Sequence, residues 1–153
     1  MKLEITESVV MKNAEIATTM LMQLCALGVH LSIDDFGTGY SSLSYLHHFP
    51  VSTLKIDRSF IGRMGHGGEN SEIVSTINTL AQNLGMEVIA EGVETVEQLE
   101  QLKSMKVALG QGYLFSCPVD AAAAGAFILD HPSYAFSNLM GEGLIHSQFD
   151  LLN

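Results

Sequence analysis

"SIDDFGTGYSSL", residues 32 to 43, closes an apolar run with two adjacent aspartates and follows them with a glycine-spaced turn. The run it belongs to, "VHLSID" over 29–34, reads as a buried strand, and Ser41 or Ser42 is placed to cap a short helix through Tyr45 and Leu46. Strand, turn and helix together make the repeating unit of a parallel α/β fold, so the fold depends on whether that unit recurs.

It recurs along most of the chain. Leu3 to Thr6 is a brief strand, and residues 13–27 recur apolar at helical spacing before Gly28. Pro50 breaks the chain ahead of a strand over 53–57, "TLKID", and "GRMGHGG" (62–68) is a loop. An amphipathic helix over 71–84 leads to a strand over 87–92, Thr95 caps a helix over 96–104, and "ALGQGYLF" (108–115) is a fifth strand. This rhythm of about 30 residues implies parallel strands joined by crossover helices. Five strands are too few for a closed eight-stranded barrel of about 250 residues, so the expectation is a small open α/β sheet or the latter part of a barrel. Beyond Pro118, Ala121 to Ala124 open a helix, and the tail over 131–153 shows no clear pattern.

Composition narrows the chemistry. The 153 residues include 17 acidic and 7 basic side chains, a formal charge of −10, which argues against binding a nucleic-acid polymer through its phosphates. An anionic ligand would need its charge balanced by something else, and divalent metals are the usual means. Cys25 and Cys117 are isolated and lack CxxC spacing, so they read as packing residues in a reducing compartment. Met1 to Glu4 has none of the character of a secretory leader, and no run approaches the ~20 apolar residues of a membrane span. A soluble cytoplasmic protein is expected.

Acidic residues mark the strand ends. Glu4 lies in the first strand and Glu7 follows it; Asp34 and Asp35 end the second; Lys55 and Asp57 belong to the third; Glu91 ends the fourth, and Gln111 lies in the fifth. In parallel α/β folds these C-terminal strand ends lie along one edge, where ligand sites form. Facing carboxylates raise one another's pKa unless cations neutralise them, and Mg²⁺ or Mn²⁺ takes oxygen ligands of this kind. Taken singly, an Asp before a Gly is an ordinary turn residue and a mid-strand lysine can snorkel outward; recurrence on successive strands favours a site. Neighbouring strand residues point to opposite faces, so Asp34 and Asp35 converge only if the strand breaks, and Gly37 and Gly39 supply the break. The histidines (30, 47, 48, 66, 131 and 146) show no ligand spacing.

Taken together, "LEITES", "DDFGTGYSSLSYL", "LKIDRSFI", "AEGVET" and "GQGYLFSCP" resemble the successive signatures of the EAL-type cyclic di-GMP phosphodiesterases of bacterial signalling, over residues 2 to about 130. The separations agree too: 30 residues from Glu4 to Asp34, 21 on to Lys55, 36 on to Glu91 and 20 on to Gln111. The resemblance implies a TIM-barrel-like fold with one antiparallel strand, this chain supplying the later strands as a partial barrel of about five parallel ones. It implies hydrolysis of cyclic di-GMP to linear pGpG at a two-metal site holding Mg²⁺ or Mn²⁺. In that reading Glu4, Asp34, Asp35 and Glu91 would be metal ligands, with Asp34 bridging. Lys55 would orient water or stabilise phosphoryl charge, Asp57 would support Lys55, and Gln111 would help hold water or metal. Glu7 would brace the loop carrying Gly37, Thr38, Gly39 and Ser41, which in the family couples the site to a dimer interface. Glu94, in "AEGVET", joins the supporting set. The family's name-giving Glu-Ala-Leu and a further Asn ligand do not occur in these 153 residues, and Cys117 stands where a basic residue is usual before Pro118. The alternative reading is a catalytically inactive module that binds cyclic di-GMP or a protein partner. Open sheet edges imply a homodimer or higher oligomer in either case.

Overall fold

Alternating apolar and polar positions in the strand runs give a sheet with one face for helices and one for chemistry. The computed structural model describes residues 1–39, 43–65 and 69–130. Its strands are β1 (Lys2–Thr6), β2 (His30–Phe36), β3 (Thr53–Ile56), β4 (Glu87–Glu91) and β5 (Leu109–Gln111). They lie side by side in chain order, and every neighbouring pair is parallel. Parallel neighbours need a crossover. α1 (Glu7–Lys12) and α2 (Ala14–Ala26) connect β1 to β2, and α3 (Leu43–Leu46) connects β2 to β3. α4 (Arg58–Ile61) and α5 (Glu69–Asn83) lead to β4, α6 (Val96–Ser104) leads to β5, and α7 (Ala121–Asp130) follows it. The five parallel strands expected from sequence are therefore present.

On one face, Leu31, Ile33, Leu54, Ile56, Val88 and Ala90 are at most 2% exposed and form one core with Val10, Leu21, Ile61, Val74, Leu99 and Leu102 from the helices. The alternate residues lie on the other face, where Ser32, Thr53 and Lys55 are buried although polar. The Thr95 expectation holds as a full capping box: its hydroxyl accepts from the Gln98 N–H at 3.3 Å, and Gln98 Oε1 accepts from the Thr95 N–H at 3.0 Å.

Three expectations need correction. The strand expected over 108–115 stops at Gln111, because Gly112 lies so close to the Val93 backbone that a Cβ would overlap it. The chain then turns, with the Leu114 N–H on the Val93 carbonyl at 3.0 Å and the Phe115 N–H on the Gly112 carbonyl at 3.1 Å. Second, β2 runs on to Phe36 rather than ending at Asp34. Third, α1 and α4 are additional helices. α1 carries the β-branched pair Val9-Val10, which disguises so short a helix, and α4 needs the Asp57 cap, whose Oδ1 accepts from the Ser59 N–H at 2.9 Å. The cap expected at Ser41 or Ser42, the His66 part of the 62–68 loop, and the tail over 131–153 with His131 and His146 lie outside the described residues.

Candidate active site

Lys55 sits in the middle strand, its side chain 6% exposed, with its ammonium in a ring of carboxylates from three other strands. Its Nζ lies 2.9 Å from Glu4 Oε2 on β1, 3.2 Å from Asp34 Oδ1 on β2 and 2.6 Å from Glu91 Oε1 on β4. Burial alone would push the ammonium toward deprotonation. Hydrogen bonds to Glu91, Glu4 and Asp34 outweigh that cost and hold Lys55 well above the ordinary lysine range. Parallel register makes the meeting possible: β1 pairs Thr6 with Asp34, and β3 pairs Lys55 with Ile89, two residues before Glu91.

The adjacent aspartates converge through a bulge. The β2–β3 register shifts between Ile33 and Phe36, and Asp35 takes a left-handed backbone with φ of 54°. Aspartate tolerates that region better than most residues, and a bulge re-aims the side chains beside it. The break thus falls at Asp35 itself, earlier than the Gly37–Gly39 position expected. One carboxylate oxygen each from Asp34, Asp35 and Glu91 then lies within 4.8 Å of the others. Burial, followed by the negative charges of Asp34 and Asp57, raises the Asp35 pKa above its ordinary value.

The loop after the bulge rests on Glu7. This carboxylate is 1% exposed, and its Oε2 accepts from the Gly37 N–H at 2.8 Å. Gly37 has φ of 96°, and a Cβ there would lie 2.8 Å from the Phe60 ring; one on Gly39 would lie 2.9 Å from Glu7 Oε1. The Thr38 hydroxyl donates to the Asp35 carbonyl at 2.8 Å. Ser41 lies outside the described residues.

The remaining expected residues lie around this centre. Asp57 caps α4. Burial pushes its pKa up, but the Ser59 hydrogen bonds and the Arg58 charge outweigh this and leave it below the ordinary value. Gln111 is exposed at the end of β5, opposite Glu91 in the register, and Glu94 is exposed with its backbone N–H donating to Gln98 Oε1 at 2.8 Å. Sequence reading overlooked Ser32, fully buried on the same strand face as Asp34, whose Oγ is a buried polar atom without a partner among the described residues. The signal was its alternation with Asp34. Phe60, packed on Gly37, carried no such signal. Cys25 and Cys117 are free thiols, the former donating to the Pro50 carbonyl at 3.2 Å.

Three carboxylate oxygens gathered without nitrogen or sulfur form a hard donor set, suited to Mg²⁺, Mn²⁺ or Ca²⁺. The residues fit a divalent cation.

The fold and this site have counterparts among known proteins. The EAL domain model matches residues 1–118, and the chain belongs to the EAL domain family. It is 48% identical over 128 residues to the cyclic di-GMP phosphodiesterase NbdA of Pseudomonas aeruginosa, an alignment covering 84% of this chain and 16% of NbdA. The bifunctional diguanylate cyclase/cyclic di-GMP phosphodiesterase MucR of the same organism is 48% identical over 119 residues, 78% of this chain and 17% of MucR. Among solved structures, the MucR phosphodiesterase in complex with c-di-GMP superposes with a TM-score of 0.78 at 46% identity, covering 80% of this chain and 50% of that one. The chain thus spans about one sixth of these curated relatives and half of the solved MucR chain. No helix among the described residues is long and apolar enough to cross a membrane.

Proposed function

We propose that this chain carries the Lys55-centred part of a cyclic di-GMP phosphodiesterase site that yields linear pGpG with Mg²⁺ or Mn²⁺. The observation behind this reading is the convergence of Glu4, Asp34 and Glu91 on one buried ammonium, with Asp35 brought alongside by the bulge. NbdA and MucR bear the phosphodiesterase name, and a solved Klebsiella pneumoniae relative, BlrP1, at 38% identity, is a manganese/cy-diGMP complex.

Bound divalent cations supply a low-pKa water and neutralise phosphate charge. Asp34, Asp35 and Glu91 would hold them, with Glu4 as a further ligand. Lys55 would orient the attacking water and stabilise charge on phosphorus as the P–O bond breaks. Asp57 would support this centre through α4, and Gln111 would hold water at its rim. Glu7 would keep Gly37, Thr38, Gly39 and Ser41 in place, with Glu94 in support. We also propose residues 1–130 as the C-terminal part of the domain, followed by a C-terminal tail over 131–153, in a cytoplasmic protein that works as a dimer or larger oligomer. A second reading is binding of cyclic di-GMP or a protein partner without turnover; a solved relative, the FimX EAL domain of Pseudomonas aeruginosa, is bound to c-di-GMP.

Incubating the purified chain with cyclic di-GMP and Mn²⁺ separates the two. Appearance of pGpG that Asp34→Ala abolishes establishes the hydrolase. Binding without product establishes the module, and neither outcome together with the other is possible.

A further inference from the structure

Two of the three partners of Lys55, Asp34 and Glu91, are also two of the three carboxylates grouped to hold a cation. Two carboxylates thus serve two positive charges. The ammonium lies 3.2 Å from Asp34 Oδ1 and 2.6 Å from Glu91 Oε1, so a divalent ion seated on these two carboxylates would meet Lys55 at close range. We propose that Lys55 is the resident counter-ion of this site and that divalent metal binds by exchange with it. In the metal-free chain the ammonium holds strands β1, β2 and β4 together at their acidic ends. On loading, Lys55 gives up Asp34 and Glu91 and keeps its 2.9 Å contact to Oε2 of Glu4, a carboxylate outside the three-residue group whose second oxygen is left for the cation. The inference deepens the reading of the site as metal-dependent, and it concerns affinity alone, not turnover.

The reasoning is electrostatic. Three carboxylates (Glu4, Asp34 and Glu91) surround a single buried cation, and a fourth, Asp35, is grouped with two of them. Without Lys55 they would repel one another and splay. With Lys55 in place they stay gathered, but each incoming charge must displace or tolerate a like one, which weakens metal binding. Lys55 therefore trades metal affinity for a site that stays assembled when empty. Its flexible four-carbon stem and compact ammonium suit a group that must withdraw; the rigid guanidinium fork of an arginine would not. The exchange also makes the empty site tolerant of low metal, since no carboxylate is left without a cation nearby.

The test is Mn²⁺ binding to the full chain, with no nucleotide present, read by the electron paramagnetic resonance of free Mn²⁺ and by calorimetry. Lys55→Met is expected to bind Mn²⁺ at least tenfold more tightly than the unaltered chain and to melt earlier without metal. Lys55→Gln, which keeps a donor for the carboxylates, covers the case in which the methionine variant does not fold, and is expected to shift affinity the same way. Lys55→Arg, which keeps the charge, is expected to bind no more tightly than the unaltered chain. Equal or weaker Mn²⁺ binding by folded Lys55→Met or Lys55→Gln overturns the exchange, as does failure of every form to bind Mn²⁺. Because no step uses cyclic di-GMP, loss of hydrolysis with the affinity shift intact would count against the phosphodiesterase reading and leave the exchange standing.

Discussion

Leu54 and Lys55 are consecutive residues of β3, both buried, and they point to opposite faces of the sheet. Leu54 joins Leu31, Ile33, Ile56, Val88 and Ala90 in a face sealed by helices, where any apolar residue of fitting volume serves. Lys55 joins Glu4, Asp34 and Glu91 in a face where each group must find a particular partner. The first face is tolerant of identity and intolerant of lost volume; the second is the reverse. The same alternation that hides one set of side chains from water gathers the other set at a shared edge.

This contrast predicts a separation of effects. Leu54→Ala should cost about 2–5 kcal/mol by opening a cavity in a fully buried layer, measured by urea denaturation. A loss under about 1 kcal/mol would break the idea of a volume-sensitive face. Asp34→Ala should weaken Mn²⁺ binding by at least about 100-fold, beyond the usual loss for an outer partner, while the urea midpoint moves far less than for Leu54→Ala. A large loss of stability with metal binding retained would reverse the roles of the two faces. Gly37→Ala, at φ of 96° and with 2.8 Å to Phe60, should cost about 1–3 kcal/mol from backbone strain and should also weaken Mn²⁺ binding, since this loop follows Asp35. Equal stability in thermal melts would show that the loop yields. Thr95→Ala, remote from both faces, should cost about 1 kcal/mol through loss of the capping box and leave metal affinity unchanged.

The apolar face was readable from sequence because it is periodic: each strand of alternating Leu, Ile and Val announced itself, and the order of strands followed from their spacing. The acidic edge was readable because carboxylates recur at the ends of successive strands, where a single one would pass for a turn residue. What could not be read depended on distant backbone. The bulge at Asp35 arises from the register with β3, and local sequence pointed instead to the glycines that follow. The early stop of β5 depends on Val93, nineteen residues upstream of Gly112 by chain numbering, and nothing in "GQGYLF" itself reveals that contact. Asp57 illustrates the limit of motif reading: the short helix it caps is too brief to leave a periodic pattern, so its backbone partner Ser59 was invisible.

The shortness of β5 has a consequence for motion. The β1–β2 ladder runs from Lys2 to Thr6, whereas β5 contributes only Leu109, Gly110 and Gln111 to its ladder with β4. Its end is fastened to the rest of the molecule through Val93, whose N–H donates to the Gln111 carbonyl at 3.0 Å and whose carbonyl accepts from Leu114. Amide hydrogens along this margin should exchange with solvent sooner than those of β2 and β3, because opening it disrupts few bonds. Opening is therefore expected to start at Gln111, whose register partner Glu91 is the member of the carboxylate ring next to that margin.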